Sequence, residues 1–285
     1  MPGLAVEDFV CKVGDEEALE TARSSIEFAQ WAASQVRDLR KLEFQVADKG
    51  VSRVLVELHN NGLFAAGLTV VGTLCYMAWL NELGAKAVAA RTQDIDLARR
   101  RNLKLAARLP FLETVQATRL KFFAIPGMPS HVPSTSVKLP GREGLRVDVL
   151  APGEALGTVV PIPELAWHAQ TIPHFDYLLH EPREAAILAG GHCVPVRLPQ
   201  PERFVWHKLY SSASRQSFPE KAEKDLMQAI TLAAILTEQQ DEILADSLQE
   251  APSSMTAIVK KRLPAIRRAL SGQPQVLEQF ELALG

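Results

Sequence analysis

Two aspartates one residue apart, Asp94 and Asp96, sit in a run that alternates polar and apolar residues, Asp94-Ile95-Asp96-Leu97. Successive strand side chains take opposite faces, so both carboxylates point one way and Ile95 and Leu97 point into a core. A third aspartate, Asp148, lies in Leu145-Arg146-Val147-Asp148-Val149-Leu150, with Val147 and Val149 facing a core in the same manner. If the two strands are neighbours, three carboxylates converge on one spot. Like charges at that range take up protons or bind a cation. Hard oxygen ligands of this kind suit Mg²⁺ or Mn²⁺. Two such ions, about 3.5–4 Å apart, can orient an attacking hydroxyl and a triphosphate for in-line displacement. An isolated Asp-x-Asp is usually just the solvated face of an edge strand, so the surrounding sequence decides how far this reading goes.

Upstream, Gly72-Thr73 follows an apolar run, Phe64 to Val71, that reads as a short buried strand, and precedes a helical pattern over 74–90. Glycine lets a backbone approach a phosphate, and a helix N-terminus offers free N–H groups with partial positive charge. The Thr73 hydroxyl can donate to a phosphate oxygen. By itself such a turn is more often only a helix cap. Arg91-Thr92-Gln93 breaks the helix just before the Asp-x-Asp strand.

The order is then strand, Gly72-Thr73, helix, Arg91-x-x-Asp94-x-Asp96 and a later strand bearing Asp148. It resembles the DNA-polymerase-β-like nucleotidyltransferase superfamily. It looks closest to that superfamily's abortive-infection, type IV toxin-like group, in which a Gly-Thr turn precedes an Arg-x-x-Asp-x-Asp-like segment at similar distance. A further similarity is Trp206-His207-Lys208-Leu209 followed by Lys224-Asp225-Leu226, since that group carries a helical Lys-Leu and then a Lys-Asp or Arg-Asp pair. The match spans roughly residues 63–230. The chain departs from it by Thr73, where many members have Ser, and by a helical N-terminus of about 60 residues.

The resemblance implies that Asp94 and Asp96 hold both metals, while Asp148 ligates one and helps deprotonate the acceptor hydroxyl. It implies that the β- and γ-phosphates of an NTP rest on Gly72 and Thr73, with Arg91 nearby. Lys208 meets the triphosphate, and Lys224 or Asp225 braces the pocket. Read without the resemblance, His207-Lys208 is an amphipathic helix face with a lysine stem on the core, and Asp225 suits a helix start.

The elements that must position these residues read as α+β: a small mixed sheet with helices at both ends. Residues 1–62 form an N-terminal helical region, with helices over 15–47 and 51–60. Asn60-Asn61-Gly62 stops the second helix. Residues 63–200 form the core, with further strands over 118–125 and 145–150, a Pro- and Ser-rich loop over 126–140 and an unassigned stretch over 154–200. Residues 201–285 are helical, with one long helix from Lys221 to about Gln249 and another over 254–270 that Pro264 kinks or splits.

Composition bounds the rest. The chain has 285 residues, 47% apolar and 22% charged, enough for one main core of roughly 130–150 residues with helical flanks. A net charge of −2 excludes nucleic-acid binding by bulk charge alone. Two local basic clusters remain candidates for RNA or a triphosphate, one at Arg99, Arg100, Arg101, Lys104 and Arg108, the other at Lys260, Lys261, Arg262, Arg267 and Arg268. Mean hydropathy is +0.00, and no apolar run reaches the ~18–20 residues that cross a bilayer. The first residues lack the basic and apolar regions of a signal peptide, which predicts a cytoplasmic protein. Cys11, Cys75 and Cys193 are too few and too scattered for a disulfide framework. The seven histidines show no metal-ligand spacing, and neither a Gly-x-Ser-x-Gly elbow nor a Walker A sequence occurs.

These observations predict a metal-dependent nucleotidyltransferase that moves NMP from an NTP to a hydroxyl of RNA, protein or a small molecule. The abortive-infection likeness leans toward RNA or a bacterial defence role, and leaves open a partner protein. The competing reading is a non-catalytic module of the same fold that binds a nucleotide or a partner. A metal phosphohydrolase, with water as acceptor, is a third.

Overall fold

The structure is a computed structural model describing residue 12 and residues 14–88, 90, 92–215, 217–239 and 242–285. Cys11 and Arg91 lie outside the described residues. The molecule is α+β. A seven-stranded mixed sheet carries helices before and after it in the chain.

The chain opens with α1 (Glu16–Lys41) and α2 (Lys49–Asn60). Val51, Val54, Leu55 and Leu58 line one face of α2 at helical spacing, and all are buried. The strand expected over Phe64 to Val71 is mostly turn; β1 is only Thr69–Val71. Gly62 and Gly67 take left-handed backbone there, which extended chain cannot accommodate. Helix α3 (Gly72–Glu82) begins at the glycine itself and stops well short of residue 90, at the left-handed Gly84.

Strand β2 (Asp94–Ala98) follows, with Ile95 and Leu97 fully buried. After α4 (Phe111–Ala117), the strand expected over 118–125 is present only as the two residues of β3 (Phe123–Ala124). A left-handed Arg119 breaks the run between them. Then come β4 (Ser136–Lys138), β5 (Arg146–Pro152), β6 (Val159–Ile162), β7 (Trp167–Ile172), the short α5 (Phe175–Leu178), β8 (Arg183–Ala189) and β9 (His192–Leu198). Four strands thus fill the stretch that sequence left unassigned.

The main sheet runs β1-β2-β5-β4-β3. Strand β1 is antiparallel to β2, β2 parallel to β5, and β4 antiparallel to both β5 and β3. Strand β7 pairs parallel to β5 through residues 150–152, and β6 is antiparallel to β7. Strands β8 and β9 form a separate hairpin turned by the left-handed Gly190 and Gly191.

The C-terminal part packs α6 (Pro201–Ser214) against α7 (Pro219–Gln239), followed by α8 (Ile243–Gln249), α9 (Ser253–Val259), α10 (Leu263–Ala269) and α11 (Pro274–Leu284). The single long helix expected from Lys221 to Gln249 is therefore two, α7 and α8, and Glu242 enters α8 in left-handed backbone. Pro264 splits the following helix as expected, lying in the first turn of α10. One continuous set of buried apolar side chains runs from Ala47 to Leu284 and includes Trp206, Phe204 and Phe280. Among the described residues no helix is long and apolar enough to cross a membrane.

Candidate active site

The parallel pairing of β2 with β5 sets Asp96 opposite Asp148 and Asp94 opposite Arg146. With Ile95, Leu97, Val147 and Val149 all fully buried on one face, the three aspartates share the other. The neighbouring strands that the carboxylate reading required are present. Val71, at the end of β1, stands opposite Asp96 on its other side, which brings Gly72 beside the same carboxylate. A Cβ on Gly72 would overlap it, with Cγ of Asp96 at 2.9 Å and Oδ2 closer still. The backbone of Gly72 is left-handed, φ 68°. Two independent constraints therefore demand glycine here. Thr73 is buried in the first turn of α3.

Burial, reinforced by the charges of Asp148 and then Asp94, pushes the Asp96 carboxyl up to about 7, against the pull of Lys208 and Arg146. The site strains to hold its own negative charge, and a proton or a cation relieves it.

Asp148 is restrained. Arg146 Nε donates to its Oδ1 at 2.8 Å, and Ser136 Oγ donates to the same oxygen. Nη2 of Arg146 also donates to Ser136 Oγ at 2.9 Å. As the side chains stand, no three His, Cys, Asp or Glu groups among the described residues are assembled to hold an ion. The donor set nonetheless suits a hard cation: three carboxylates share one face, Asp96 is driven toward protonation by burial and by the other two, and Gly72 leaves room for the Asp96 carboxylate beside the turn. Arg146 and Ser136 were not singled out from sequence. The signal was available for Arg146, which alternates with Asp148 and so shares its face.

From the helical side, Lys208 on α6 donates to Asp225 Oδ1 on α7 at 2.6 Å. Arg215 Nε donates to Asp225 Oδ2 at 2.8 Å. Asp225 is thus held by two cations with only 6% of its side chain exposed, and it is not a helix cap. Lys208 lies close enough to Asp96 to oppose its rise. Burial, followed by the charge of Lys208, lowers the Lys224 ammonium, while Asp225, Asp94 and Asp96 work the other way. The structure therefore brings Gly72, Thr73, Asp94, Asp96, Asp148, Lys208, Lys224 and Asp225 to one region.

A model of a nucleotidyltransferase family matches residues 49–253, a span that contains every one of these groups. The chain belongs to that family. Among solved structures, this nucleotidyltransferase is similar to an antigenic nucleotidyltransferase-like protein from Paracoccidioides brasiliensis, at 14% identity over 81% of this chain and 92% of that one, with a TM-score of 0.39. A comparison with curated proteins found no match.

The basic clusters are partly engaged within the fold. Arg99 pairs with Glu164 at 3.3 Å and donates to Asn102; Arg100 reaches Asp176 and His180. The segment that carries them is irregular and not a helix face. In the second cluster Lys260 donates to the Gly285 carbonyl, Arg262 to the Ser212 carbonyl and Arg267 to Glu281. Arg101, Lys104 and Arg108 of the first cluster and Lys261 and Arg268 of the second are exposed.

Proposed function

We propose that this family member transfers NMP from an NTP to a hydroxyl acceptor, with Mg²⁺ or Mn²⁺ held by Asp94 and Asp96 and, on one side, Asp148. The observation that carries this reading is the in-register pairing of Asp96 with Asp148 beside Gly72. The bound ions would neutralise charge on the triphosphate and make the acceptor hydroxyl easier to deprotonate. The β- and γ-phosphates rest at Gly72-Thr73, where α3 begins and its free N–H groups point outward. Lys208, steadied by Asp225, faces the triphosphate, and Lys224 adds positive charge to the same rim. In the reaction the acceptor oxygen bonds to the α-phosphorus, the bond from that phosphorus to the bridging oxygen breaks, and pyrophosphate leaves. The hydroxyl proton passes to Asp148, whose Oδ2 is left outside the grip of Arg146 and Ser136. Catalysis is mostly positioning and charge neutralisation. The likeness to the abortive-infection group, and a cytoplasmic site of action where NTPs are held, belong to this same reading.

The test is incubation with each of four α-³²P NTPs and Mg²⁺, with and without total tRNA, for wild type and the Asp94→Ala/Asp96→Ala double variant. Label on RNA, protein or a small molecule that disappears in the variant supports transfer. A double variant as active as wild type defeats it. The capture of Asp148 by Arg146 and Ser136 favours a second reading, a fold that binds nucleotide without transfer. Metal-dependent NTP binding with no labelled acceptor would select it.

A further inference from the structure

The carboxylate face of the sheet does not end at Asp148. Strand β4 lies along the edge of β5 away from β2, and β7 takes up that same edge where β4 leaves it. The backbone shows this directly: Val149 N–H donates to Thr135 and Gly153 N–H to Ile172, whereas Leu150 C=O accepts from Arg99 at the β2 edge. Ser136 stands opposite Asp148, Gln170 opposite Leu150, and Val159 opposite Gln170. All of these side chains therefore share the face of Arg146 and Asp148. Between them and the loop through Met128 and Val132 lies a cavity of about 190 Å³, lined in part by Thr135, Ser136, Arg146, Gln170 and Val159.

Two of its polar groups are unspent. The Gln170 amide makes no hydrogen bond among the described residues and lies 3.4 Å from where a Cβ on Gly157 would stand. Arg146 uses Nε and Nη2 on Asp148 and Ser136 and leaves Nη1 without a partner among the described residues. Beside Gln170 the lining is apolar at Val159, and across from the sheet the loop adds Val132 and Met128.

Position supplies the second half of the argument. In-line displacement needs the attacking oxygen and the leaving pyrophosphate on opposite sides of the phosphorus. The sheet order is Gly72 at the end of β1, then Asp96, then Asp148, then this cavity. With the leaving phosphates at Gly72, the attacker must arrive from the cavity side. Resting on the transferase reading, we infer that this cavity is the acceptor subsite, and that it takes a ribose hydroxyl carried beside a phosphate. Arg146 Nη1 meets the phosphate, the Gln170 amide meets sugar hydroxyls, and the apolar wall covers the ring face. The volume suits one nucleotide's sugar and phosphate and is smaller than the ~300 Å³ at which larger ligand pockets begin. That chemistry has two sources, a free mononucleotide and the 3′ end of an RNA.

Calorimetric titration of the full chain, saturated with Mg²⁺ and α,β-methylene-ATP, separates the possibilities. The probes are AMP and the dinucleotide ApA, and the proteins are wild type, Gln170→Leu and Val159→Trp. Both probes binding to wild type points to a mononucleotide acceptor; ApA alone points to an RNA end. In either case Gln170→Leu is expected to weaken binding about tenfold and Val159→Trp to abolish it, with analogue affinity unchanged within about twofold. A melting curve checks that Val159→Trp is folded, and Gln170→Leu carries the test if it is not. The inference is overturned if neither probe binds analogue-loaded wild type, if both variants bind like wild type, or if labelled transfer goes to a protein side chain. Failure of wild type to bind the analogue at all removes the transferase reading and the subsite together.

Discussion

Gly72 and Asp96 occupy one space: the carboxylate lies where a side chain on Gly72 would have to be, and the Gly72 backbone is in the left-handed region at φ 68°. The turn that would receive phosphates and the carboxylate that would hold a cation are thus a single packed unit. They are joined because β1 pairs with β2 in a register that sets Val71 opposite Asp96.

Gly72→Ala is therefore expected to cost about 1–3 kcal/mol of stability, from backbone strain and overpacking together. It should lower nucleotide transfer by more than tenfold, because relief comes only by displacing Asp96. Urea denaturation and a transfer assay check the two effects separately. A variant that is destabilised but as active as wild type would show that the Asp96 position is unimportant to the chemistry.

The rise of the Asp96 carboxyl from its ordinary 3.8 to about 7 sets a pH dependence. The folded state holds the proton more tightly than the unfolded chain. In the absence of divalent ions this group's contribution to stability is greatest below about 4, declines as pH rises, and is gone above about 7. Asp96→Asn should melt higher than wild type at pH 8 in EDTA, with the difference narrowing toward pH 5. A cation competes with the proton, so Mg²⁺ should raise the wild-type Tm more at pH 8 than at pH 6, and do little for Asp96→Asn. Equal Mg²⁺ shifts at the two pH values would mean that Asp96 is not the titrating ligand.

His207 sets the opposite edge. Burial pushes its ring down to about 4, while its hydrogen bond to the Pro173 carbonyl, 3.2 Å from Nε2, pulls the other way. The ring also packs edge-on against Phe175. A lowered base favours its neutral form in the folded state, so its contribution is complete above about 6.5 and is lost as pH falls toward 4. His207→Gln is expected to be less stable at pH 7 yet to lose less Tm between pH 7 and pH 5. An unchanged acid slope by differential scanning calorimetry would place the acid sensitivity elsewhere.

The carboxylate strands were legible because each short alternation carries its own burial pattern: Ile95 and Leu97 against Asp94 and Asp96, Val147 and Val149 against Asp148. What failed was backbone that departs from repetition. The apolar run before Gly72 reads as strand by composition, but left-handed Gly62 and Gly67 fold most of it into turns. The apolar spacing of α7 continues into α8, and the left-handed backbone of Glu242 at the start of α8 is not visible in that pattern. The site's aspartates were visible, and Arg146 could have been from its alternation with Asp148, whereas the hold of Ser136 on Asp148 depends on β4 pairing with β5. No local pattern encodes that choice of neighbour.

Asp225 is the remaining point of leverage, because it joins two helices to the site. Its carboxylate takes Lys208 on one oxygen and Arg215 on the other, and the Asp225 and Lys208 side chains are 6% and 12% exposed. Removing one partner of a buried pair leaves a charge without compensation, a larger penalty than the pair's net worth. Asp225→Ala should therefore cost about 3 kcal/mol, and Lys208→Ala less, because Arg215 still compensates Asp225. The double variant, which leaves only the more exposed Arg215 unpaired, should cost clearly less than the two losses added. Activity separates structure from function: if Lys208 reaches the triphosphate, Lys208→Ala raises the KM for NTP at a temperature where the variant is fully folded. Asp225→Asn, which keeps one acceptor oxygen for either Lys208 or Arg215, should recover a small part of the stability lost in Asp225→Ala. Strict additivity in the cycle, with an unchanged KM in Lys208→Ala, would leave the pair uncoupled and without a part in the site.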